Sequence, residues 1–178
     1  MSKLEGSKTE QNLWTAFSGE SQARNKYTYF AKRAKEDGYV QISKIFEETA
    51  NNEKEHAKIW FKLLKGIKST EENLTVAADT EAYENSSMYP EFAKIAKEEG
   101  FNDIAELFEG VASIEKMHEA RYRKLLSNIT NETVFSSETK TIWECSKCGY
   151  TYTGKEAPKC CPVCKHPQAY FAKTAKNF

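Results

Sequence analysis

An internal repeat is the feature of this sequence that most restricts its fold. Segment 30–38 aligns with segment 92–100, and the same offset carries His56 onto His118. Each of these segments consists of strong helix formers that end in a Gly, the residue that most often takes the left-handed position after a helix. The part of the chain before residue 140 therefore predicts two copies of a helical hairpin. The four helices are expected at about 8–37, 39–65, 75–99 and 102–128.

The second helix of each hairpin has a stripe at alternating steps of four and three residues, the spacing of a left-handed bundle core. In the first copy the stripe consists of Ile42, Phe46, Thr49, Glu53, His56, Trp60 and Leu63. In the second copy it consists of Ile104, Phe108, Val111, Glu115, His118, Tyr122 and Leu125. The repeated pattern predicts an all-α four-helix bundle, with a Glu and a His at the centre of each stripe.

Carboxylates and histidines of both hairpins are predicted to reach one depth of this bundle. Glu20 lies about five helical turns before Gly38, and Glu53 and His56 lie about four and five turns after it. The second hairpin supplies a similar set: Glu81, Glu84, Glu115 and His118. A carboxylate on a bundle core is costly unless it is paired or coordinates a cation. Five carboxylates and two imidazoles without a thiolate favour two iron or manganese ions over a structural zinc.

A single Glu-x-x-His pattern has a simpler interpretation in a chain with 29% charged residues, which is a solvated helix face. The metal interpretation depends on the two copies being in phase, each on an apolar stripe and each accompanied by further carboxylates. Two copies in phase favour the metal site.

The repeat has one misfit, and it falls beside a carboxylate. Glu20 lies ten residues before Phe30, whereas Glu81 lies eleven residues before Phe92. An extra residue inside a continuing helix is usually absorbed as a π-bulge, often at a functional site. Glu84 lies beside the insertion and aligns with Ala23, so the metal site is predicted to be nearly two-fold symmetric with one unmatched carboxylate.

A short polar connection, residues 66–74, joins the two hairpins. If a two-fold axis relates the hairpins, the second and third helices run parallel, and the connection must cross about 24 Å at 1.5 Å per residue. Nine or ten extended residues reach about 30 Å. The predicted connection is therefore taut, which leaves room for two copies of the chain to exchange hairpins.

All five cysteines lie beyond residue 140, and four of them form two Cys-x-x-Cys pairs. The pairs are Cys145 with Cys148 and Cys161 with Cys164. This spacing predicts a tetrathiolate metal site whose metal supplies much of the folding energy of so small a domain. Zinc remains an alternative metal, and disulfides remain an alternative to any metal. Cys160 is the leftover and is interpreted as a thiol that is not a ligand.

Composition divides the chain near residue 140 and limits its function. Residues 141–178 carry six Lys and two acidic residues, whereas the whole chain has no net charge, so the first part is acidic. We therefore expect a domain at 1–138, a second domain at 139–178, and no nucleic-acid partner. No apolar run is long enough for a membrane span or a signal peptide, so no membrane partner and a cytoplasmic location are expected.

The segment that begins with Glu81 and runs through Tyr89-Pro90 to Gly100, together with the other ligand helices and the Cys-rich end, resembles rubrerythrins over essentially the whole chain. The resemblance implies a ferritin-like di-iron bundle followed by a rubredoxin-like Cys₄ domain with one iron. It also implies ligand roles. Glu53 and Glu115 would bridge the irons, with Glu20 and Glu81 as terminal ligands and His118 on one iron. The other iron would move between Glu84 when oxidised and His56 when reduced. Tyr27 and Tyr89 match second-layer tyrosines of the family, although buried aromatic packing explains them equally well.

The implied activity is reduction of hydrogen peroxide to water in defence against oxidative stress, with Glu84, His56 and Tyr27 as the catalytic residues. Electrons would enter through the tetrathiolate iron from a rubredoxin or an NAD(P)H-dependent reductase, because the chain contains no Gly-x-Gly-x-x-Gly of its own. The family also implies a homodimer. An iron-oxidising ferritin-like protein is the alternative function, and a zinc-ribbon interaction module is a third class.

Overall fold

The computed structural model describes residues 3–174 and divides them into two compact units, which meet in sequence at Ser69 and Thr70. The first unit is a hairpin of α1 (Lys8–Glu36) and α2 (Val40–Leu63). The side chain of Ser7 caps α1 by accepting a hydrogen bond from the backbone N–H of Glu10. Gly38 has a φ of +87° and makes the turn, as the sequence predicts.

Small side chains form the contact between α1 and α2. The buried residues of this seam are Ala31, Ala34, Ser43, Ala50 and Ala57. Side chains of this size allow the two helices to approach closely. The predicted apolar stripe of α2 lies beside this seam. The first and last residues of the stripe are exposed in the described chain: Ile42 by 47% and Leu63 by 52%.

The second unit begins with a longer helix than the sequence predicts. This third helix consists of α3 (Thr70–Tyr83), a π-helical segment (Glu84–Met88) and α4 (Tyr89–Glu98). The expected start at residue 75 is wrong, because Ser69 and Glu72 have the residue types of a capping box and acidic residues occupy the first turn. The predicted π-bulge is confirmed, and Glu84 is its first residue.

The fourth helix, α5 (Asn102–Thr130), packs against both α3 and α4. Its seam with α4 repeats the small-residue seam of the first unit, with Ala93, Ala96 and Ala105 buried. Gly100 has a φ of +87° and forms the turn between the two helices. The two hairpins are therefore repeated structures as well as repeated sequences.

A three-stranded antiparallel sheet follows α5, with β1 (Ser136–Cys145) between β2 (Thr151–Glu156) and β3 (Phe171–Lys173). The fully buried Trp143 lies at the centre of its small core, and the indole N–H of Trp143 donates to the carbonyl of Gly154. β1 starts at Ser136, three residues before the expected start of the second domain at residue 139. Four helices in two hairpins followed by a Cys-rich region with a short sheet confirm the predicted fold class.

Candidate metal centres

The first hairpin brings together Glu20 from α1 with Glu53 and His56 from α2. The Nδ1 atom of His56 lies 2.8 Å from Oε2 of Glu53 and 4.0 Å from Oε1 of Glu20. One ligand atom from each of the three residues lies within 4.8 Å of the others, a spacing that a single cation can bridge. Both carboxylates are largely covered, whereas the side chain of His56 is 52% exposed.

The second hairpin repeats this arrangement with Glu81 from α3 and with Glu115 and His118 from α5. Nδ1 of His118 lies 2.6 Å from Oε2 of Glu115 and 3.8 Å from Oε1 of Glu81. The three ligand atoms again lie within 4.8 Å of one another. The sequence repeat is therefore reproduced in the geometry of the two groups.

Electrostatics in the second group suit a cation. Burial, a hydrogen bond with Glu115 and the negative charges of Glu115 and Glu84 raise the pKa of Glu81, and His118 opposes this rise. The raised pKa shows that the anionic form of Glu81 is destabilised by its neighbours, and a bound cation relieves that repulsion. The donor set of carboxylates and imidazoles without sulfur matches iron or manganese.

Glu84 lies on the π-helical segment, outside the group of three ligand atoms around His118. Its charge still reaches the group, because it contributes to the raised pKa of Glu81. Burial, followed by the charges of Glu84, Glu115 and Glu81, also raises the pKa of Tyr89. The Tyr89 hydroxyl therefore keeps its proton beside the carboxylates.

Tyr27, the counterpart of Tyr89 in the first hairpin, lies among aromatic rings. Its ring centroid is 6.2 Å from that of Phe30 and 6.1 Å from that of Phe46. These contacts agree with the packing interpretation of this tyrosine, and its catalytic role stays a prediction.

Four cysteine sulfurs converge at the end of the sheet. Sγ of Cys145 lies 3.6 Å from Sγ of Cys164, Sγ of Cys148 lies 3.6 Å from Sγ of Cys161, and all four lie within 4.8 Å of one another. All five cysteines of the chain are free thiols, so the disulfide alternative has no support in the described structure. Four sulfurs at this spacing form the donor set of a tetrathiolate site.

Two thiols of this set differ in acidity. Burial opposes ionisation of Cys161, but N–H groups of Cys164 and Val163 hydrogen-bond its sulfur and lower its pKa to about 6. For Cys164, a hydrogen bond from the N–H of His166 is outweighed by burial and the neighbouring thiols, which raise its pKa to about 12. A metal binds thiolates, so loading this site must displace protons from the weaker acids of the set.

Cys160 stays outside the four-sulfur group. Its side chain is exposed, and its sulfur contacts the carbonyl of Cys161 at 3.8 Å. The register that we predict from the sequence, with Cys161 as the ligand, agrees with this placement.

Replacement of Cys160 with Ser is expected to leave the metal content and colour of the tail, residues 139–178, unchanged. Replacement of Cys161 with Ser is expected to abolish or shift them, because a buried sulfur of the group is lost. Visible absorption and metal analysis of the two purified variants test this pair. The opposite pattern would mean that the ligand register is wrong.

A polar network that the sequence did not predict lies beside the second group. Asn85 of the π-helical segment donates to Glu119 of α5, which accepts from Arg123, and Arg123 also donates to Asp79 of α3. Hydrogen bonds from Arg123 and Asn85 lower the pKa of Glu119. Only the pair of Glu119 and Arg123 had a signal in the sequence. These residues lie four positions apart on α5, the spacing at which opposite charges pair on a helix.

Two matched carboxylate–histidine groups on helical hairpins and a four-cysteine site on a small sheet define a class of protein: helical di-metal proteins with a tetrathiolate domain. The Rubrerythrin family profile matches residues 11–126, and the profile of the rubrerythrin rubredoxin-like domain matches residues 143–172. The chain belongs to the rubrerythrin family.

Two relatives match over their full lengths. Rubrerythrin from Nitratidesulfovibrio vulgaris is 48% identical and Rubrerythrin-1 from Clostridium acetobutylicum is 47% identical, each over 100% of both chains. A solved structure described as the fully reduced, all-ferrous state of nigerythrin is 32% identical. It covers 97% of this chain and 90% of that one, with a TM-score of 0.36.

Family membership confirms the predicted cofactor class, a di-iron site of Glu and His groups plus a four-cysteine iron site. It also places the chain among oxidoreductases that work with redox partners. In the part of the chain that the structure describes, no helix has the length and apolarity needed to span a membrane. The individual ligand roles of the residues above stay predictions.

Proposed function

We propose that this chain is a non-haem di-iron peroxidase that reduces hydrogen peroxide to water and takes its electrons through the tetrathiolate iron. Each turnover consumes one H₂O₂, two electrons and two protons and yields two H₂O. The observation that carries the proposal is the presence, in one chain, of two matched carboxylate–histidine groups and a four-cysteine group. The first two form a centre for a two-electron reaction, and the third is an inlet for single electrons.

The residues that would hold the bundle irons are Glu20, Glu53, His56, Glu81, Glu84, Glu115 and His118. The tail iron would be held by Cys145, Cys148, Cys161 and Cys164. When bound and ferrous, the bundle irons would supply the two electrons needed to break the O–O bond, and the tail iron would return electrons one at a time. All other roles fall to the protein.

His56 and Glu84 are proposed to serve opposite oxidation states. A neutral imidazole matches the lower charge of the reduced centre, and a carboxylate matches the higher charge of the oxidised one. The exposed side chain of His56 has room to turn, and the π-helical segment gives Glu84 a backbone unlike that of any described residue in the first hairpin. The two side chains would thereby keep the net charge of the site nearly constant during turnover.

Protons must reach the oxygen atoms as the O–O bond breaks. Tyr89 is a suitable donor, because burial and three carboxylates keep its hydroxyl protonated. Tyr27 occupies the matching position in the first hairpin and is proposed for the same role. Both would donate a hydrogen bond to peroxide and hold it beside the metal ligands.

Electrons would be delivered to the exposed side of the tail. Cys148 is the exposed member of the four-sulfur group, and the ammonium of its neighbour Lys147 lies over the ring of Tyr170. A rubredoxin or an NAD(P)H-dependent reductase is the proposed donor.

A homodimer that exchanges hairpins is the proposed assembly. The structure shortens the connection to residues 64–69. In a bundle where α2 and α3 run parallel, α2 extends about 10 Å past His56 and α3 starts about 17 Å before Glu81, so the connection must span about 27 Å. The N–H of Gly66 still bonds to the carbonyl of Phe61, so only four steps remain to Thr70, and these reach about 14 Å. A second copy supplies the missing hairpin without such a span.

Three irons per chain are expected in protein expressed with sufficient iron, two in the bundle and one in the tail. Metal analysis, visible absorption and a reductase-coupled peroxide assay test the proposal together. Zinc in the tail and no thiolate-to-iron absorption would exclude the electron inlet. Iron uptake far above three per chain without peroxide turnover would indicate the iron-oxidising ferritin-like alternative.

A further inference from the structure

A chain of hydrogen bonds within the second unit ties the π-helical segment to the neighbouring helix. The amide of Asn85 donates to the carbonyl of Glu81 at 2.7 Å and to Oε2 of Glu119 at 3.1 Å. Arg123 donates to the other oxygen of Glu119 at 2.8 Å and to Asp79 at 3.2 Å. One side chain, Asn85, therefore connects the backbone of a predicted ligand residue with α5 and, through α5, with α3.

Among the described residues, the first hairpin has no counterpart of this network. The repeat aligns Glu119 with Ala57 and Arg123 with Phe61, and neither of these side chains can hold an ion pair. Asn85 aligns with Arg24, which lies in the unbroken helix α1. The tether is thus a property of the hairpin copy that contains the inserted residue.

The insertion needs such a tether for a geometric reason. One residue advances a helix by about 100° and 1.5 Å. If the π turn migrated along the helix, the residues it passed would rotate by about that angle against α5. Glu84, the first residue of the π-helical segment, would then turn away from the group formed by Glu81, Glu115 and His118.

We propose that Asn85 is a positioning residue, which fixes the π turn at Glu84 and thereby aims the Glu84 carboxylate into the di-iron centre, beside the group of Glu81, Glu115 and His118. This proposal rests on the proposed function only in taking Glu84 as an iron ligand. The amide acts through its two hydrogen bonds, and it has no contact with the reactants.

Amide hydrogen exchange of the metal-free protein tests the tether without any iron. Asn85→Ala is expected to speed exchange across residues 81–89, because the π turn loses its link to α5. Arg24→Ala, at the aligned position of the first hairpin, is the matched control and is expected to leave exchange in α1 unchanged. Equal exchange in Asn85→Ala and wild type would overturn the proposal.

A double-mutant cycle separates positioning from general stability. Asn85→Ala is expected to weaken retention of Fe³⁺ by the oxidised bundle by about tenfold, the lower end for residues that orient metal ligands, because Glu84 is the proposed ligand of the oxidised state. In a Glu84→Ala background it is expected to have no further effect, because the side chain that it positions is absent. Additive losses in the two backgrounds would show that Asn85 supports only the fold.

Reversal of the hydrogen bond provides a rescue. Asn85→Asp places a carboxylate against Glu119 and is expected to behave like Asn85→Ala or worse. Adding Glu119→Gln lets the amide introduced at 119 donate to the carboxylate introduced at 85. This double variant is expected to recover the part of the slow exchange at residues 81–89 that depends on the link to α5, while the bond to the Glu81 carbonyl stays lost. No recovery would contradict the tether. If wild-type protein fails to bind Fe²⁺ in the bundle, the proposed function fails, while the exchange comparison still decides the role of Asn85.

Discussion

Replacing Cys164 with Ser is expected to stop steady-state peroxide turnover while leaving the bundle reactive. The variant loses one sulfur of the four-sulfur group, so the route that returns electrons to the bundle is lost. Its carboxylate–histidine groups are unchanged. A chemically reduced sample should therefore react with one equivalent of H₂O₂ at close to the wild-type rate and then fail to turn over with NAD(P)H and a reductase.

Replacing Glu84 with Ala is expected to have the reverse effect. The tail keeps its four sulfurs and remains reducible by a reductase. The peroxide step is expected to slow at least about tenfold, because the oxidised site lacks its unmatched anionic ligand. The two variants thus assign electron entry and peroxide reduction to different parts of one chain.

Stopped-flow mixing of each reduced variant with peroxide, beside a coupled turnover assay, distinguishes the two roles. Iron counts are the control, since each variant must retain metal at its unaltered site. Normal turnover by the Cys164 variant would mean that electrons bypass the tail, whose role would then be structural. A normal peroxide step in the Glu84 variant would remove that carboxylate from the reaction.

Much of this architecture could be predicted because the sequence contains two copies of the same helical hairpin. Aligning Phe30 with Phe92 places Gly38 and Gly100 at the same position, which predicts both turns. The same alignment matches His56 with His118 and so predicts which helix faces carry the metal ligands. The π turn was predictable for the same reason, since only a comparison of the two copies shows that one contains an extra residue. The four-cysteine group followed from spacing alone.

Other features depend on contacts that a repeat does not encode. The seam of each hairpin is lined by Ala and Ser, which are too common in helices to be singled out by a hydrophobic stripe. The residue types of a capping box at Ser69 and Glu72 favour the start of α3 at Thr70, but the predicted connection included these residues because it was extended to residue 74. The tether from Asn85 to Glu119 joins residues 34 positions apart, so no local pattern reveals it.

Complementation between two inactive chains is expected to restore iron to the bundle if the hairpins are exchanged. One chain carries Glu53→Ala and His56→Ala, and the other carries Glu115→Ala and His118→Ala. Each alone is expected to lose the bundle irons, because every centre lacks two of its seven predicted ligands, including a bridging carboxylate. In an exchanged dimer of the two chains, one centre receives both damaged hairpins and the other receives both intact ones.

Random pairing makes about half of the dimers mixed, and half of their centres are intact, so about a quarter of the wild-type bundle iron should return. Two affinity tags allow mixed dimers to be purified, which raises the expected value to about half. Co-expression of two differently tagged copies of the same variant is the matched control and should restore none. Iron in the tail, which neither pair of substitutions touches, reports that this domain of each chain is folded and loaded.

The outcome decides which chain completes each centre. A dimer without exchange combines both hairpins of one chain, so every centre stays damaged and no bundle iron returns. Restoration of bundle iron would explain why the connection between α2 and α3 can be short. It reaches about 14 Å, whereas two hairpins of one chain in a parallel arrangement would need a connection of about 27 Å. It would also assign a partner to the apolar residues that each hairpin leaves open, including Ile42, Leu63 and Leu125. Under that assembly the exposed stripes and the half-centres are completed together, so metal loading and dimer formation are expected to be thermodynamically linked.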